Sequence, residues 1–142
     1  MQKSEDISEL AAAAIEALKE IGHPIKNKQN PHFKNTYADL LAVVDCSRED
    51  LLNHGLWVVQ VPDTVDGYAE HVMPGITTML IHKSGQYLSF TTTMPQQPQQ
   101  FGSGFTYMRR YGSQGLLQIV AEEDDDAEAT RVTSDKTEKE IW

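Results

Sequence analysis

Three β-type segments that follow one another along the chain restrict the fold more than any other feature. Residues 56–61, 76–82 and 86–94 are rich in β-branched and aromatic side chains. Pro62 ends the first segment in a turn, and residues 83–85 (Lys-Ser-Gly) predict a hairpin loop between the other two. Because strands joined by short loops pair in the antiparallel sense, we expect a small three-stranded antiparallel sheet.

Amphipathic segments on both sides of these strands predict three helices. They cover residues 4–22, 36–55 and 101–120. Ser4 is expected to cap the first helix, and Thr36, with Asp39 three residues later, is expected to cap the second. A polar, proline-rich connector at residues 95–100 precedes the third. The order α-α-β-β-β-α predicts an α+β domain whose helices pack on the sheet.

The charge of the chain is divided unevenly. The net charge of −9 comprises −3 in residues 1–121 and −6 in residues 122–142. We therefore expect one folded domain over residues 1–121 and an acidic, disordered tail over residues 122–142. Residues 22–37 and 71–121 contain Lys and Arg but no Asp or Glu, which predicts a surface that faces an anion. Strands with neutral outer faces would explain the same composition.

Cysteine usage and hydropathy favour a cytoplasmic protein. Cys46 is the single cysteine, so an internal disulfide is excluded and a reducing compartment is expected. No apolar run approaches the ~20 residues that a membrane-spanning helix needs. The N-terminal residues lack the apolar core of a signal peptide, so neither export nor membrane insertion is expected.

The third predicted helix has two chemically different faces. At about 100° per residue, its core face comprises Phe101, Phe105, Met108, Gly112, Leu116 and Ile119. Tyr107, Arg110 and Tyr111 lie on the opposite face, and Arg109 lies near the edge of the core face. We therefore expect Arg110 to project from the fold and Arg109 to serve stability or assembly.

The outer face of this helix has the chemistry of a site for single-stranded nucleic acid. Aromatic rings stack on bases, and a guanidinium binds phosphate in a bidentate manner. Tyrosines that cover the sheet as amphipathic core residues would have the same spacing. The glycines at 102, 104, 112 and 115 each weaken a helix by ~1 kcal/mol, so the backbone is expected to approach a sheet, a subunit or a phosphate closely.

A second cationic segment, HPIKNKQNPHFKNTY, lies between the first two predicted helices. It is too polar for a strand, so we expect a loop in which Lys26, Lys28 and Lys34 hold phosphates. His32 would add a donor to phosphate, and Phe33 would stack on a base. The alternative is that Phe33 staples the loop to the second helix.

Two motifs of the chain together resemble a known family. NPHFKNTYADLLAVV (residues 30–44) and GSGFTYMRRYGSQGLLQIVAEEDDD (residues 102–126) closely resemble, in order, the ERF (essential recombination function) family of phage single-strand annealing proteins. The resemblance spans residues 7–126 and implies a β-β-β-α core. It also implies a protein that coats single-stranded DNA and anneals complementary strands without ATP or another cofactor, as a homo-oligomeric ring or filament.

The resemblance and the helix pattern define the candidate DNA-binding residues. They are Lys26, Lys28, His32, Phe33, Lys34, Tyr37, Tyr107, Arg109, Arg110 and Tyr111. Implied partners are single-stranded DNA, further copies of the chain, and a phage exonuclease or a host single-strand-binding protein in a bacterial cytoplasm. Gly112 and Gly115 depart from the family pattern, because helix-forming residues are expected there.

Two other classes of function fit parts of the sequence. The acids at 122–126 would be the metal site of a nuclease, but adjacent residues of a tail diverge instead of converging on an ion. The chain also lacks a Gly-x-x-x-x-Gly-Lys-Ser/Thr phosphate loop, and its histidines show no ligand spacing with Cys46, so we do not expect an enzyme. A scaffold that oligomerises through residues 95–100 or the first helix, without binding nucleic acid, is the third class.

Overall fold

The computed structural model describes residues 1–29, 31, 36–66, 72–93 and 101–122. Within these ranges the chain forms six strands and four helices in an α+β arrangement. They are β1 (Gln2–Lys3), α1 (Ser8–Glu20), β2 (Lys28–Gln29), β3 (Thr36–Tyr37), α2 (Leu40–Asp45), α3 (Arg48–Asn53), β4 (Leu56–Asp66), β5 (Val72–His82), β6 (Tyr87–Thr93) and α4 (Phe101–Leu117).

The main sheet is antiparallel but has four strands, in the order β1-β6-β5-β4, instead of the expected three. The extra strand, β1, pairs Gln2 with Ser89 and Lys3 with Leu88. Ser4 extends this pairing, since its N–H donates to the Tyr87 carbonyl (2.9 Å) and its hydroxyl accepts from the Tyr87 N–H (3.0 Å). The prediction that Ser4 caps the first helix was therefore wrong.

Helix α1 begins four residues later, at Ser8. The Asp6 carboxylate accepts hydrogen bonds from the backbone N–H of Ser8 (2.8 Å) and from its hydroxyl (3.0 Å). These hydrogen bonds lower the pKa of Asp6. A carboxylate at the start of the helix thus takes the role that the sequence suggested for Ser4.

One face of the sheet packs against helices and forms the core. Ile76, Thr78 and Leu80 of β5 alternate onto this face and are buried. Leu80 packs in one apolar cluster with Leu10 of α1 and Leu117 of α4. The sheet therefore fixes the position of α4, the helix with the tyrosines and arginines.

Strand β4 continues through Pro62, although Pro62 was expected to end it. The pairing with β5 runs from Leu56↔His82 to Asp66↔Val72, and Pro62 lies opposite Ile76. Because β4 lies at the end of the sheet, the missing N–H of a proline is tolerated there. Asp63, expected in a turn, accepts a hydrogen bond from the Thr77 hydroxyl of β5, which lowers its pKa.

The second predicted helix is two short helices, and its expected cap was wrong. Asp39, not Thr36, caps α2, because its Oδ1 accepts from the Ala42 N–H at 3.0 Å. This hydrogen bond lowers the pKa of Asp39. The chain turns between α2 and α3 at Ser47, whose buried hydroxyl donates to the Val43 carbonyl at 3.3 Å.

Thr36 lies instead in a small β-ribbon. Strand β3 pairs antiparallel with β2, with Lys28 opposite Tyr37 and Gln29 opposite Thr36. The cationic segment was expected to be a loop throughout, so the expectation was wrong at Lys28. Pairing with β3 supplies backbone hydrogen bonds that a polar sequence pattern does not reveal.

Gly112 allows α4 to approach the sheet closely. A Cβ atom at this position would lie 2.8 Å from the Thr78 Oγ1 of β5. The open question about the glycines is therefore settled for Gly112, which contacts the sheet. A Cβ atom at Gly102 or at Gly115 would meet nothing within 4 Å, so sheet packing does not account for these two glycines.

The chain after α4 returns to the β-ribbon. The Ala38 N–H donates to the carbonyl of the buried Ala121 at 2.8 Å, and Tyr37 forms a β-bridge with Glu122. Glu122, the first residue of the acidic run, thus lies against the fold. The rest of the predicted tail, residues 123–142, lies outside the described residues, and the domain boundary stays a prediction.

Within the described ranges, no helix has both the length and the apolar character that crossing a membrane demands.

Candidate nucleic-acid interface

Arg110 of α4 lies among three tyrosine rings. Its guanidinium carbon is 4.7 Å from the ring centroid of Tyr37 in β3, 5.3 Å from that of Tyr111 and 6.0 Å from that of Tyr107. The rings of Tyr107 and Tyr111 are themselves 4.2 Å apart between centroids and tilted by 42°. All three distances permit cation–π attraction. We call these four residues the tyrosine cluster.

Glu122 closes the tyrosine cluster on its remaining side. Its Oε1 lies 3.3 Å from Arg110 Nη2 and accepts a hydrogen bond from Gln114 Nε2 at 3.5 Å. Together with the rings, this contact leaves only 15% of the Arg110 side chain exposed. Arg110 Nε is buried and has no hydrogen-bond partner among the described residues. A carboxylate therefore occupies the position at Arg110 where an anionic ligand would bind.

The two tyrosines of α4 differ in their access to solvent. Burial raises the pKa of Tyr111 to about 12, with further contributions from a hydrogen bond with Tyr107 and from the charge of Glu122. The Tyr111 hydroxyl is therefore protonated at neutral pH. Tyr107 is 42% exposed, so its ring is the part of the cluster that a base could reach.

The structure exchanges the environments expected for the two arginines. Arg110 was expected to project from the fold but is mostly covered, whereas Arg109 was expected near the core face but has an exposed side chain. The reason is tertiary, since Tyr37 of the β-ribbon and Glu122 of the segment after α4 cover the outer face of α4. The helical-wheel assignment was correct for Met108, which is buried.

The structure brings part of the cationic segment to the tyrosine cluster. Lys28 lies opposite Tyr37 in the β-ribbon, and its charge, like that of Arg110, contributes to the lowered pKa of Asp39. Lys26 is exposed two residues earlier. The other three candidates of this segment, His32, Phe33 and Lys34, lie outside the described residues.

Arg109 lines a cleft that the sequence did not reveal. The cleft has a volume of about 370 Å³ and lies between the α2–α3 pair, strand β4 and helix α4. Arg48 and Trp57 also line it, and Trp57 is 59% exposed although it belongs to a strand expected to be buried. No spacing in the sequence connects these three residues, because they come from three elements that meet only in the fold.

Among the described residues, no group of His, Cys, Asp and Glu converges in a way that could hold a metal ion. Of the acids considered for a metal site, Glu122 pairs with Arg110, and residues 123–126 lie outside the described residues. His54 Nε2 lies 3.1 Å from Glu20 Oε2, and His82 Nδ1 lies 2.8 Å from Ser84 Oγ.

The fold and the site together define a class: an α+β domain whose antiparallel sheet supports a helix with arginine and aromatic residues. The chain belongs to the ERF superfamily, because the model of that family matches residues 10–141. This match confirms the resemblance seen in the two motifs. Searches of curated proteins and of solved structures gave no significant match.

Proposed function

We propose that this protein binds single-stranded DNA and anneals complementary strands, without nucleotide hydrolysis or any other chemical step. The observation that carries the proposal is membership of the ERF superfamily over residues 10–141. The tyrosine cluster supports it by offering an exposed ring at Tyr107 beside a guanidinium and the nearby Lys28. These groups bind single-stranded nucleic acid by stacking and by phosphate contact.

In this proposal, DNA exchanges places with Glu122 at Arg110. A phosphate oxygen takes over the contact that the Glu122 carboxylate makes at 3.3 Å, and a neighbouring base stacks on Tyr107. Lys28 and Lys26 bind phosphates on either side. The acidic residue thus keeps the cluster ordered before the strand arrives.

This binding mode explains how a coated strand would still anneal. Stacking uses the faces of bases, and arginine and lysine bind the backbone, so neither consumes the edges that form base pairs. The binding is also independent of sequence, because every base has a π-face. A complementary strand can then pair with the displayed edges without an energy source.

The proposal includes a homo-oligomer larger than a dimer, in a ring or a filament. Strand β4 is eleven residues long, and within the described ranges no strand pairs with its outer edge. An uncovered strand edge of this length favours pairing with another chain. Light scattering at micromolar concentrations measures the mass, and a monomer throughout would exclude the ring and the filament.

Titration of a labelled single-stranded oligonucleotide, followed by fluorescence anisotropy, tests the function. We expect binding without metal or nucleotide, and a log–log salt slope of ~0.7 for each phosphate that the protein neutralises. The variant Lys28→Glu should weaken binding and the annealing of complementary strands. Lys19→Glu is its matched control, since Lys19 lies on α1 and pairs with Glu16 at 2.8 Å. Absence of binding at low salt, or equal effects of the two variants, would contradict the proposal.

A further inference from the structure

The cleft beside Arg109 has apolar walls and the size of a ligand site. Its volume of about 370 Å³ lies within the ~300–1,000 Å³ that is usual for such sites. Leu51, Leu56 and Leu117 line it, and all three are buried residues. Because apolar surfaces associate favourably in water, the cleft suits a ligand that brings an apolar side chain.

Two arginines give the cleft a positive charge. Arg48 lies on α3 and Arg109 on α4, and both are exposed residues that line the cleft. Within the described residues, neither forms an ion pair, and no carboxylate lines the cleft. A guanidinium binds a carboxylate in a bidentate manner. The cleft therefore favours a ligand that combines carboxylates with an apolar side chain.

One segment of the chain has this combination. Residues 123–142, which lie outside the described residues, contain eight acidic and three basic residues. Their large apolar side chains are those of Val132, Ile141 and Trp142. The last two directly follow a Glu-Lys-Glu triplet. Residues 138–142, which we call the acidic-apolar segment, are thus the part of this sequence whose chemistry complements the cleft.

The acidic-apolar segment is close enough along the chain to reach the cleft. Glu122, the last described residue, pairs with Arg110, which is the neighbour of Arg109 on α4. The segment begins 16 residues after Glu122. An extended chain spans about 3.3 Å per residue, so these residues can cover roughly 50 Å, more than the ~30 Å diameter of a small domain.

We infer that the cleft binds the acidic-apolar segment of the same chain. Its glutamates pair with Arg48 and Arg109, and its isoleucine and tryptophan pack on the leucines of the cleft. Recognition of an acidic peptide by a cluster of arginines is a recurring mode of binding. The inference goes beyond the proposed function and does not depend on it, because no DNA takes part in this contact.

Fluorescence of Trp142 tests the inference in the full chain. The chain has two tryptophans, so the variant Trp57→Phe leaves Trp142 as the single one. Trp57 lies opposite Ile81, whereas Leu80 faces the helices, so the Trp57 side chain lies on the other face of the sheet. Its substitution therefore spares the apolar walls of the cleft. Trp142 in the cleft should emit at a shorter wavelength than free tryptophan and resist quenching by acrylamide.

Charge reversal identifies the partners of the segment. In the Trp57→Phe background, Arg48→Glu combined with Arg109→Glu should raise the acrylamide quenching constant of Trp142 several-fold. Further reversal of the segment by Glu138→Lys and Glu140→Lys should restore the protection, because the opposite charges face each other again. This rescue distinguishes a contact from a general loss of structure. High salt should also weaken the protection, since it screens exposed charges.

Two control variants separate the contact from net charge. Lys19→Glu reverses a cation of α1 that does not line the cleft, and it should leave the quenching of Trp142 unchanged. Asp124→Lys combined with Asp125→Lys reverses two acids of residues 123–142 outside the acidic-apolar segment. Added to the arginine reversals, this pair should not restore the protection.

Three outcomes would overturn the inference. Quenching of Trp142 as strong as that of free tryptophan would mean that the segment does not bind the fold. Protection that the arginine reversals leave intact would place the segment elsewhere. The third outcome uses arginine-reversed chains mixed with chains that keep both arginines and lack both tryptophans. Protection of Trp142 in this mixture would mean that the cleft binds the segment of a second copy instead of its own.

Discussion

Arg109 and Arg110 are adjacent in the chain but lie in opposite environments. Arg110 is held by three tyrosine rings and the Glu122 carboxylate, whereas Arg109 lines an open cleft with Arg48 and Trp57. Glu122 balances the charge of the tyrosine cluster, whereas among the described residues no ion pair balances the arginines of the cleft. Burial of a cationic residue thus depends on which other parts of the chain cover it.

The two arginines would also meet a proposed ligand in different ways. A ligand at the tyrosine cluster must first replace the contact between Glu122 and Arg110, so part of its binding energy offsets an existing ion pair. A ligand at the cleft would meet arginines that form no ion pair among the described residues. Binding at the tyrosine cluster would therefore depend on release of Arg110 by Glu122. Binding at the cleft would not require an ion pair to break.

The two arginines should differ most in their contributions to stability. Arg110→Ala should lower the free energy of unfolding by about 2 kcal/mol, because it leaves Glu122 without its charged partner and the rings without their cation. Arg109→Ala should change it by less than about 0.5 kcal/mol, since the side chain is exposed. Urea denaturation measures both. The helical wheel predicts the opposite order. A larger loss of stability for Arg109→Ala would mean that Arg109, and not Arg110, is the covered residue.

Two glycines of α4 test how closely this helix packs against the sheet. Gly112→Ala should destabilise the fold by about 1–2 kcal/mol, because its Cβ would lie 2.8 Å from the buried Thr78 Oγ1. Gly115→Ala meets nothing within 4 Å and should stabilise the helix by up to ~1 kcal/mol. Thermal unfolding followed by circular dichroism measures the two changes. Equal effects of the two substitutions would mean that α4 does not lie this close to β5.

Sequence patterns were sufficient where local chemistry decides the structure. The hairpin around Gly85, the helix with Met108 on its core face and the α+β class follow from turn residues and periodicity. The cap of α2 is Asp39, three residues after the predicted Thr36. Both residue types are good caps, but it is the Asp39 carboxylate that accepts from the Ala42 N–H.

Features that depend on tertiary contacts did not follow from the sequence. Strand β1 is two polar residues long, and only its position beside β6 makes it a strand. Pro62 would break a central strand but not a strand at the end of a sheet, and the order of strands is a property of the fold. For the same reason, Arg110 was expected to be exposed but is mostly covered, and Trp57 belongs to a strand that was expected to be buried but is itself exposed.

Charge removal at Glu122 tests whether the tyrosine cluster acts as a switch. Glu122→Gln keeps the shape of the side chain but weakens its hold on Arg110, so affinity for single-stranded DNA should rise by up to about fivefold at low salt. Anisotropy titrations measure the change. Glu20→Gln is the control, because it removes the same charge from α1, where Glu20 pairs with His54. An equal gain in affinity for both variants would mean that the change in net charge, and not the contact with Arg110, causes the effect.

A modest pH dependence of stability should arise from the tyrosine cluster and not from the cleft. The pKa of Tyr111 is raised from its usual value of about 10 to about 12, chiefly by burial. The fold thus favours the protonated hydroxyl, and the resulting stabilisation is complete below about pH 10 and is lost as the pH rises towards about 12. The effect is modest because part of the ring remains in contact with water.

Tyr111→Phe removes this titration and retains the ring that faces Arg110. The free energy of unfolding of the unsubstituted protein should therefore fall more steeply than that of Tyr111→Phe between about pH 10 and about pH 12. Subtraction of the two curves removes the contributions that the other titratable groups of this region make to the pH dependence. These groups are Tyr37, Tyr107 and Glu122. Trp57→Phe should keep the slope of the unsubstituted protein, because no described residue that lines the cleft is a tyrosine. Parallel curves for all three proteins would mean that the Tyr111 hydroxyl is as accessible to water in the fold as in the unfolded chain, and the cluster would then be open like the cleft.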